Sequence, residues 1–431
     1  MKLPIIAGYT YKQFPHVRLL VRDDLISLNS DSAWQDFCKG LFYRTDGEQP
    51  RKQTTYKSIF TLRLTPDDAG THCVVKKYTG GGLIKTAKDI FRHSKAFREF
   101  QAAIAIAGKD IPTPAPLLVA ELISYGRVSE SLLITQFIAD AYELKDFVIN
   151  RKGANLPSYS ITDRWKTVEA FGKLTAKIFN KGIYQDDYAL NNFMLKKDEV
   201  GTKIYFIDFE RVAIKDQLAE QEKTKLLTKL NRVGCEVTIK DRLRFLRSYL
   251  REEAGDAKKL HHYARELQRT TLGMLKRDLE RGRVTSVYTS EEYKKLKTNW
   301  YSGICHKRYK EEEIVNQVRK IPRRENQAAV SLKCGSETHN LKLVRFKDDG
   351  AKKMWAVINA LKLAGLPIDM PQGFIENGSQ GFLMMKIPES GEFPTFEAVC
   401  KGTRSGVMKV LETHFPVELK CVNDFFNRLS M

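Results

Sequence analysis

No apolar run in the 431 residues approaches the roughly 18 needed to cross a membrane as a helix; LLITQFIADA at 132–141 is typical of the longest. The opening MKLPIIAGYTYKQF carries one lysine and then an apolar stretch too short for a signal-peptide core, with no cleavage-like site after it. The seven cysteines (38, 73, 235, 305, 334, 400 and 421) are odd in number, and no two form a Cys-x-x-Cys pair. That argues against a disulfide framework or a structural zinc site and for reduced thiols in a cytoplasm. Zinc-finger spacing, an aromatic-rich RNA-binding strand and a DNA-reading helix are all missing, so no specific nucleic-acid partner is expected. His261 and His262 have Glu266 a helical turn after His262 but no evident third ligand nearby, so they read as a satisfied or exposed pair and not as a metal site.

What the chain has in excess is positive charge. Lys and Arg number 72 against 52 Asp and Glu, a formal net charge of +20. An anionic partner follows, and charge alone does not choose among nucleic acid, a phosphorylated glycan, a nucleotide and an anionic membrane face. Hydrophobic residues at 42% and charged residues at 29% are those of an ordinary globular protein, and the length allows about two to three domains.

Residues 56–64 (YKSIFTLRL) and 72–78 (HCVVKKY) read as two strands of a hairpin around the turn cluster 66–70. A helix is predicted over 94–107, closed by Gly108 and the prolines at 112, 114 and 116, and strands over 117–123 and 131–137. A second helix is predicted over 162–180 with a buried stripe of Trp165, Val168, Phe171, Leu174 and Ile178, followed by short strands at 193–195 and 204–209. From 217 to 319 the pattern is helical and basic. Near the end, NALKLAGLPIDMP (359–371) echoes AAIAIAGKDIPTPAP (102–116), and THNLKLVRF (338–346) echoes THCVVKKY (71–78) with a one-residue offset. Part of the front is therefore expected to be duplicated.

The chemistry concentrates in YQDDYALNNFML (184–195) and IYFIDFER (204–211). A strand–turn–strand hairpin would bring Asp187, Asn192 and Asp208 to one point. Hard oxygen ligands of this kind suit Mg²⁺, which keeps waters and shares protein oxygens with nucleotide phosphates. Lys76 on the second front strand and Glu99 on the helix after it complete the order of a phosphoryl-transfer site: a strand lysine on the phosphates, pinned by a helix carboxylate. Lys77 competes with Lys76 for the role, but the pleat sends the two to opposite faces. Gly80, Gly81 and Gly82 follow Lys76 and read as a connector. A phosphate-covering loop belongs near 47–55 (GEQPRKQTT), which is poor in glycine; Arg51 and Lys52 there offer charge in place of backbone amides.

Taken in order, VVKKY (74–78), FREF (97–100), IPTPAPL (111–117), GIYQDDYALNNFML (182–195), IDFERV (207–212) and DRLRFLRSYL (241–250) resemble, within the protein-kinase-like superfamily, the lipopolysaccharide kinase family, the Kdo and heptose kinases of Gram-negative bacteria. The resemblance covers about residues 51–250. It implies ATP- and Mg²⁺-dependent phosphorylation of a sugar hydroxyl in the lipopolysaccharide inner core. Asp187 would be the catalytic carboxylate, Lys76 would contact the phosphates with Glu99 paired to it, and Asn192 and Asp208 would hold the metal. Two features depart from the family pattern or leave it open. Gln185 stands where a histidine is usual. The doublets Asp186-Asp187 and Asn191-Asn192 allow either register, with Asp187 and Asn192 preferred because the strand begins directly after Asn192.

The expected architecture is α+β, a bilobal protein-kinase-like fold with an appended unit. Residues 1–50 would extend the small lobe, 51–145 form it, 146–325 form a mostly helical, basic large lobe, and 326–431 form a second small-lobe-like domain without catalytic residues. The expected substrate is an anionic glycolipid, met by a cytoplasmic enzyme peripheral on the inner face of the membrane; the oligomeric state is left open. Two other readings remain: an atypical serine/threonine or small-molecule kinase, and a pseudokinase scaffold binding nucleotide or anionic glycan.

Overall fold

Alternating side chains over Tyr9–Phe14 (β1) and Val17–Arg22 (β2) make a hairpin that turns at His16, whose φ is +66°. The computed structural model describes residues 3–26, 30–43, 52–54, 56–64, 72–79, 93–149, 159–198, 201–233, 237–254, 260–280, 293–334, 337–363 and 371–387. The chain divides into two compact units, Met1–Leu226 with Ser248–Gly255 and Leu227–Arg247 with Asp256–Met431.

In the first unit the hairpin leads through α1 (Asp23–Ile26) and α2 (Asp31–Tyr43) to β3 (Lys52–Thr54), β4 (Lys57–Arg63) and β5 (His72–Thr79), then α3 (Lys95–Ala107), β6 (Pro116–Ser124) and β7 (Arg127–Gln136). The strands form one antiparallel sheet in the order β1-β2-β6-β7-β5-β4-β3. Period-two alternation divides its side chains between two cores. Leu19, Val21, Val75, Leu118 and Ile134 face α2 with Trp34, Cys38 and Phe42. Leu20, Tyr78, Val119 and Leu133 face α3 with Phe97 and Phe100. Residues 1–50 were expected to be an extension. Instead β1 and β2 are members of the sheet and α2 closes one of its faces.

The rest of the unit carries β8 (Ala141–Glu143), α4 (Leu144–Ile149), α5 (Ile161–Asn180), β9 (Ile183–Gln185), a 3-10 turn at Leu190–Asn192, β10 (Phe193–Asp198), β11 (Gly201–Phe206) and β12 (Val212–Ile214). A capping box between Ser160 and Asp163 starts α5. Its stripe of Val168, Phe171, Leu174 and Ile178 is buried. Trp165 does not belong to it: it is 39% exposed, one turn from the helix start and ahead of the packed face. Gly182 ends the helix at φ +72°, and a Cβ there would meet the Lys215 carbonyl at 1.9 Å, so only glycine fits.

Three helices follow: α6 (Glu220–Leu230), α7 (Ile239–Ala254), which runs across the division, and α8 (Leu260–Glu280). The helical pattern predicted to 319 is then broken by β13 (Tyr293–Lys297) and β14 (Ser302–His306), ahead of α9 (Glu311–Lys320). Lysines at 294, 295 and 297 hid the strand, although Tyr293 and Leu296 are buried, one on each face of the sheet. With β15 (Gln327–Cys334), β16 (Glu337–Lys347), α10 (Gly350–Leu363), β17 (Gly373–Glu376) and β18 (Gln380–Lys386) these strands form a second antiparallel sheet, β13-β14-β17-β18-β16-β15. The expected boundary at 325 thus falls inside a unit whose sheet draws strands from both sides of it.

The second sheet repeats the first. In each, a hairpin and a covering helix precede a second hairpin, a helix and a third hairpin, with the same neighbours throughout; β3 alone is extra. Side chains repeat as well. Tyr9 lies opposite Arg22 and its hydroxyl donates to the Pro116 carbonyl at 2.8 Å. Tyr293 lies opposite His306 and donates to the Pro371 carbonyl at 3.1 Å. Lys77 of β5 donates to the Phe42 carbonyl at the end of α2. Arg345 of β16 donates to the Ile321 and Arg323 carbonyls just past the end of α9. Pairing Lys77 with Arg345 sets Lys76 against Val344. The helix echo likewise sets Glu99 against Ala356. Both counterparts are apolar and buried.

Candidate active site

Lys76 and Tyr78 are two residues apart on β5 and so share the face toward α3. Glu99 is buried on α3. One oxygen of Glu99 pairs with the Lys76 ammonium and also accepts the Phe209 N–H at 3.2 Å; the other accepts the Tyr78 hydroxyl. Three donors therefore satisfy a carboxylate that water does not reach, the condition for keeping its charge in the interior. Burial pushes Lys76 down, but Glu99 and Asp208 outweigh it and hold the ammonium above its usual pKa. Tyr78 is raised by burial and then by Glu99.

The hairpin of β10 and β11 pairs Phe193 with Phe206, and the Ile207 N–H continues the ladder to the Asn192 carbonyl at 2.9 Å. The second strand was expected to run to Phe209; it stops at Phe206. Asp208 lies beyond it at φ +64°, a left-handed conformation uncommon for a residue with a side chain. Beneath, Phe206 stacks on Phe193 and meets Phe209 edge-on, and Tyr188 and Phe171 pack against Phe193. The Phe206 N–H also reaches the Pro112 carbonyl at 2.8 Å, tying the hairpin to the proline-rich segment before β6.

Gln185 is buried, and its side-chain amide donates to the Asp208 carbonyl at 2.6 Å. The glutamine thus makes the backbone bond expected of a side chain at that position. Asn192 donates through its side-chain nitrogen to the Asp187 carbonyl, which leaves its side-chain oxygen free to accept. The two candidate aspartates differ. Asp186 lies 3.7 Å from Lys225 and 3.3 Å from the Tyr184 hydroxyl. Asp187 is exposed, and its carboxylate makes no ion pair or side-chain hydrogen bond among the described residues.

Asp208 is flanked by two ammoniums, Lys76 at 3.7 Å from one oxygen and Lys57 at 3.6 Å from the other. Burial pushes its carboxyl up, but Lys76 and Lys57 prevail and hold it below the ordinary range. Lys57 also lies 3.5 Å from Glu210, whose second oxygen is 3.5 Å from Lys95. Tyr78, Lys57, Lys95 and Glu210 escaped the motif reading. The signal that finds Lys57 is strand register: it is opposite Tyr78 and therefore on the face of Lys76.

The basic run 223–251 is partly absorbed by structure. Lys223 pairs with Glu220 at 3.0 Å, and Arg242 binds the carbonyls of Asn231, Val233 and Val237. His261 and His262 are exposed on α8. Residues 80–82, 44–51 and 55, the glycine connector and most of the phosphate-covering segment, lie outside the described residues. Among the described residues no three His, Cys, Asp or Glu side chains gather as a metal cluster. The Asp208 carboxylate and the free Asn192 oxygen are a donor set that suits an ion keeping most of its waters.

Residues 55–249 match the family described as "Lipopolysaccharide kinase (Kdo/WaaP) family". Over these residues the chain is similar to that family, and the match covers less than half of the chain. The chain is 26% identical over 177 residues to a 3-deoxy-D-manno-octulosonic acid kinase of Haemophilus influenzae strain PittEE, covering 39% of this chain and 66% of the relative. It is 27% identical over 185 residues to the enzyme of the same name from strain Rd, covering 41% and 71%. The match thus spans about two thirds of those relatives. A solved structure titled "WaaP in complex with acyl carrier protein" is 20% identical, with 58% of this chain and 99% of that one covered and a TM-score of 0.39.

Proposed function

We propose that the protein transfers the γ-phosphoryl group of ATP to a sugar hydroxyl of the lipopolysaccharide inner core, on Kdo or heptose. The observation that carries this reading is the closed Lys76–Glu99–Phe209 tie beside an open Asp187. Such transfer needs positioning and charge stabilisation more than covalent help from the protein. Lys76 contacts the ATP phosphates, kept charged and aimed by Glu99. Glu99 also holds the Phe209 amide, so the lysine and the Asp208 turn are placed by one carboxylate. Asp187, unpaired and exposed, orients the acceptor hydroxyl and takes its proton. Asn192 fixes the Asp187 backbone through its amide nitrogen and, with Asp208, presents oxygens to Mg²⁺. A bound magnesium would neutralise charge on the phosphates.

The +20 charge supports an anionic glycolipid substrate and an approach to an anionic membrane surface. No helix among the described residues is long and apolar enough to cross a membrane. In this reading residues 51–145 supply the phosphate-binding lobe, and the later repeat, with Val344 and Ala356 in place of the ion pair, has no nucleotide chemistry.

The test is transfer of labelled γ-phosphate from Mg-ATP to purified lipopolysaccharide core. Asp187→Ala should lose about 10²–10⁴-fold in rate, the range for a positioned proton acceptor, and Asp186→Ala no more than about threefold. Label in protein or a free sugar instead of glycolipid sinks the acceptor. No transfer to any acceptor sinks the enzyme and favours a scaffold.

A further inference from the structure

The segment before β4 contains one glycine, Gly47, in nine residues, so a cradle of closely approaching backbone amides is not encoded where phosphates need covering. The first residue of β4 is Lys57. The β4–β5 register sets Lys57 opposite Tyr78 and Ile59 opposite Lys76, so Lys57 and Lys76 rise from one face of the sheet. Their ammoniums take the two oxygens of the same Asp208 carboxylate. The Lys57 side chain is only 17% exposed, and its ammonium lies 5.4 Å from the centre of the Tyr78 ring. It is held in place, but at 3.5 and 3.6 Å from its carboxylates it is looser than the 2.7–2.9 Å typical of charge-assisted bonds.

Among the described residues, three lysines (57, 76, 95) meet three carboxylates (Glu99, Asp208, Glu210) around this point. The cluster is balanced without nucleotide. A triphosphate brings several negative charges, and a divalent ion brings positive charge to Asp208. Lys57 is the cation best placed to exchange partners. Its flexible stem carries a compact charge, and both its carboxylates are weakly engaged.

We propose that Lys57 is a second phosphate-binding lysine, stored on Asp208 and Glu210 in the nucleotide-free protein and transferred to the triphosphate when ATP binds. Glu210 is its parking group, holding Lys57 with one oxygen and Lys95 with the other. The assignment rests on reading this site as an ATP site, and it explains how a glycine-poor covering segment is compensated.

The experiment is titration calorimetry of the full-length protein with ATP and, separately, with adenosine, both in EDTA, followed by ATP with Mg²⁺. Lys57→Met should weaken ATP binding in EDTA about tenfold, the scale of one charged hydrogen bond, and leave adenosine within about twofold. Lys57→Arg should stay within about threefold of the parent for ATP, since the charge is kept. Glu210→Gln should tighten ATP in EDTA about threefold by releasing Lys57. The magnesium concentration giving half-maximal ATP binding should fall in Lys57→Met, because Asp208 loses a competing cation. ATP affinity unchanged in Lys57→Met overturns the proposal, as does adenosine weakened as much as ATP, which would mark a structural role. A parent protein that binds neither ATP nor adenosine instead removes the nucleotide reading itself.

Discussion

The front and back sheets have the same strand order, yet among the described residues the front one places an ion pair between β5 and α3 where the back one has apolar residues on β16 and α10. Lys76 and Glu99 sit where the back unit has Val344 and Ala356, and the apolar pair needs no partners. The helix-end contacts went the other way. Lys77 makes one bond to the end of α2, whereas Arg345 makes two past the end of α9. The β2/β14 position differs in a third manner. Arg22 forms a bidentate pair with Asp24 at 2.6 and 2.7 Å. In its place His306 has Arg308 two residues on, and burial, then Arg308 and His339, push it down to about 4. The repeat keeps the tyrosine-to-proline bond and the helix-end donor, and has apolar residues where the front unit has the Lys76–Glu99 ion pair.

The sharpest way to break this comparison is at the ion pair. Lys76→Met should lower phosphate transfer by about 10²-fold or more, as for loss of a preorganised charge. Val344→Ala should leave transfer within about twofold while destabilising its own sheet by on the order of 2 kcal/mol. Hydrogen exchange of the strand amides reads each sheet separately. Equal effects on transfer would mean that the back unit is not chemically empty.

Next in size is the helix-end donor. Arg345→Met leaves two carbonyls without their donor and should cost about 2–3 kcal/mol in the second sheet; Lys77→Met, losing one, should cost about 1 kcal/mol in the first. Equal losses would deny that the contact is stronger in the repeat.

The smallest effect is in pH. His306 is lowered to about 4 in the fold against 6.5 when unfolded. Between those values the unfolded chain binds more protons, so the second sheet's stability is full above about pH 6.5 and falls as pH drops toward 4. The matching Arg22 does not titrate in this window. Exchange protection should therefore decline in β13–β18 before β1–β7, and His306→Gln should remove the difference. The same early decline of β13–β18 in the variant would place the pH dependence elsewhere.

Much of the proposed site was legible because Lys76, Glu99, Asp187, Asn192 and Asp208 stand in an order and spacing that suit phosphoryl transfer; the structure brings Lys76 to Glu99 and Asp208, and Asn192 to the Asp187 carbonyl. Spacing left Asp186 and Asp187 open; the side-chain surroundings, with Lys225 on one and nothing on the other, favour Asp187. Lys57, Tyr78 and Glu210 were invisible to motif reading because they act through cross-strand register and approach between segments far apart in sequence. The strands at 293–306 were missed because lysines surround Tyr293 and Leu296, which are buried on opposite faces and so give no alternating apolar pattern.

By itself the sequence determined the hairpins, the capped helices and the chemical inventory, since periodicity and turn residues act over a few positions. Only the tertiary structure decided that β1 and β2 belong to the front sheet, that the repeat begins at β13, and which cations share Asp208. Those depend on hydrogen bonding and charge between residues distant in the chain, and local pattern carries no record of such neighbours.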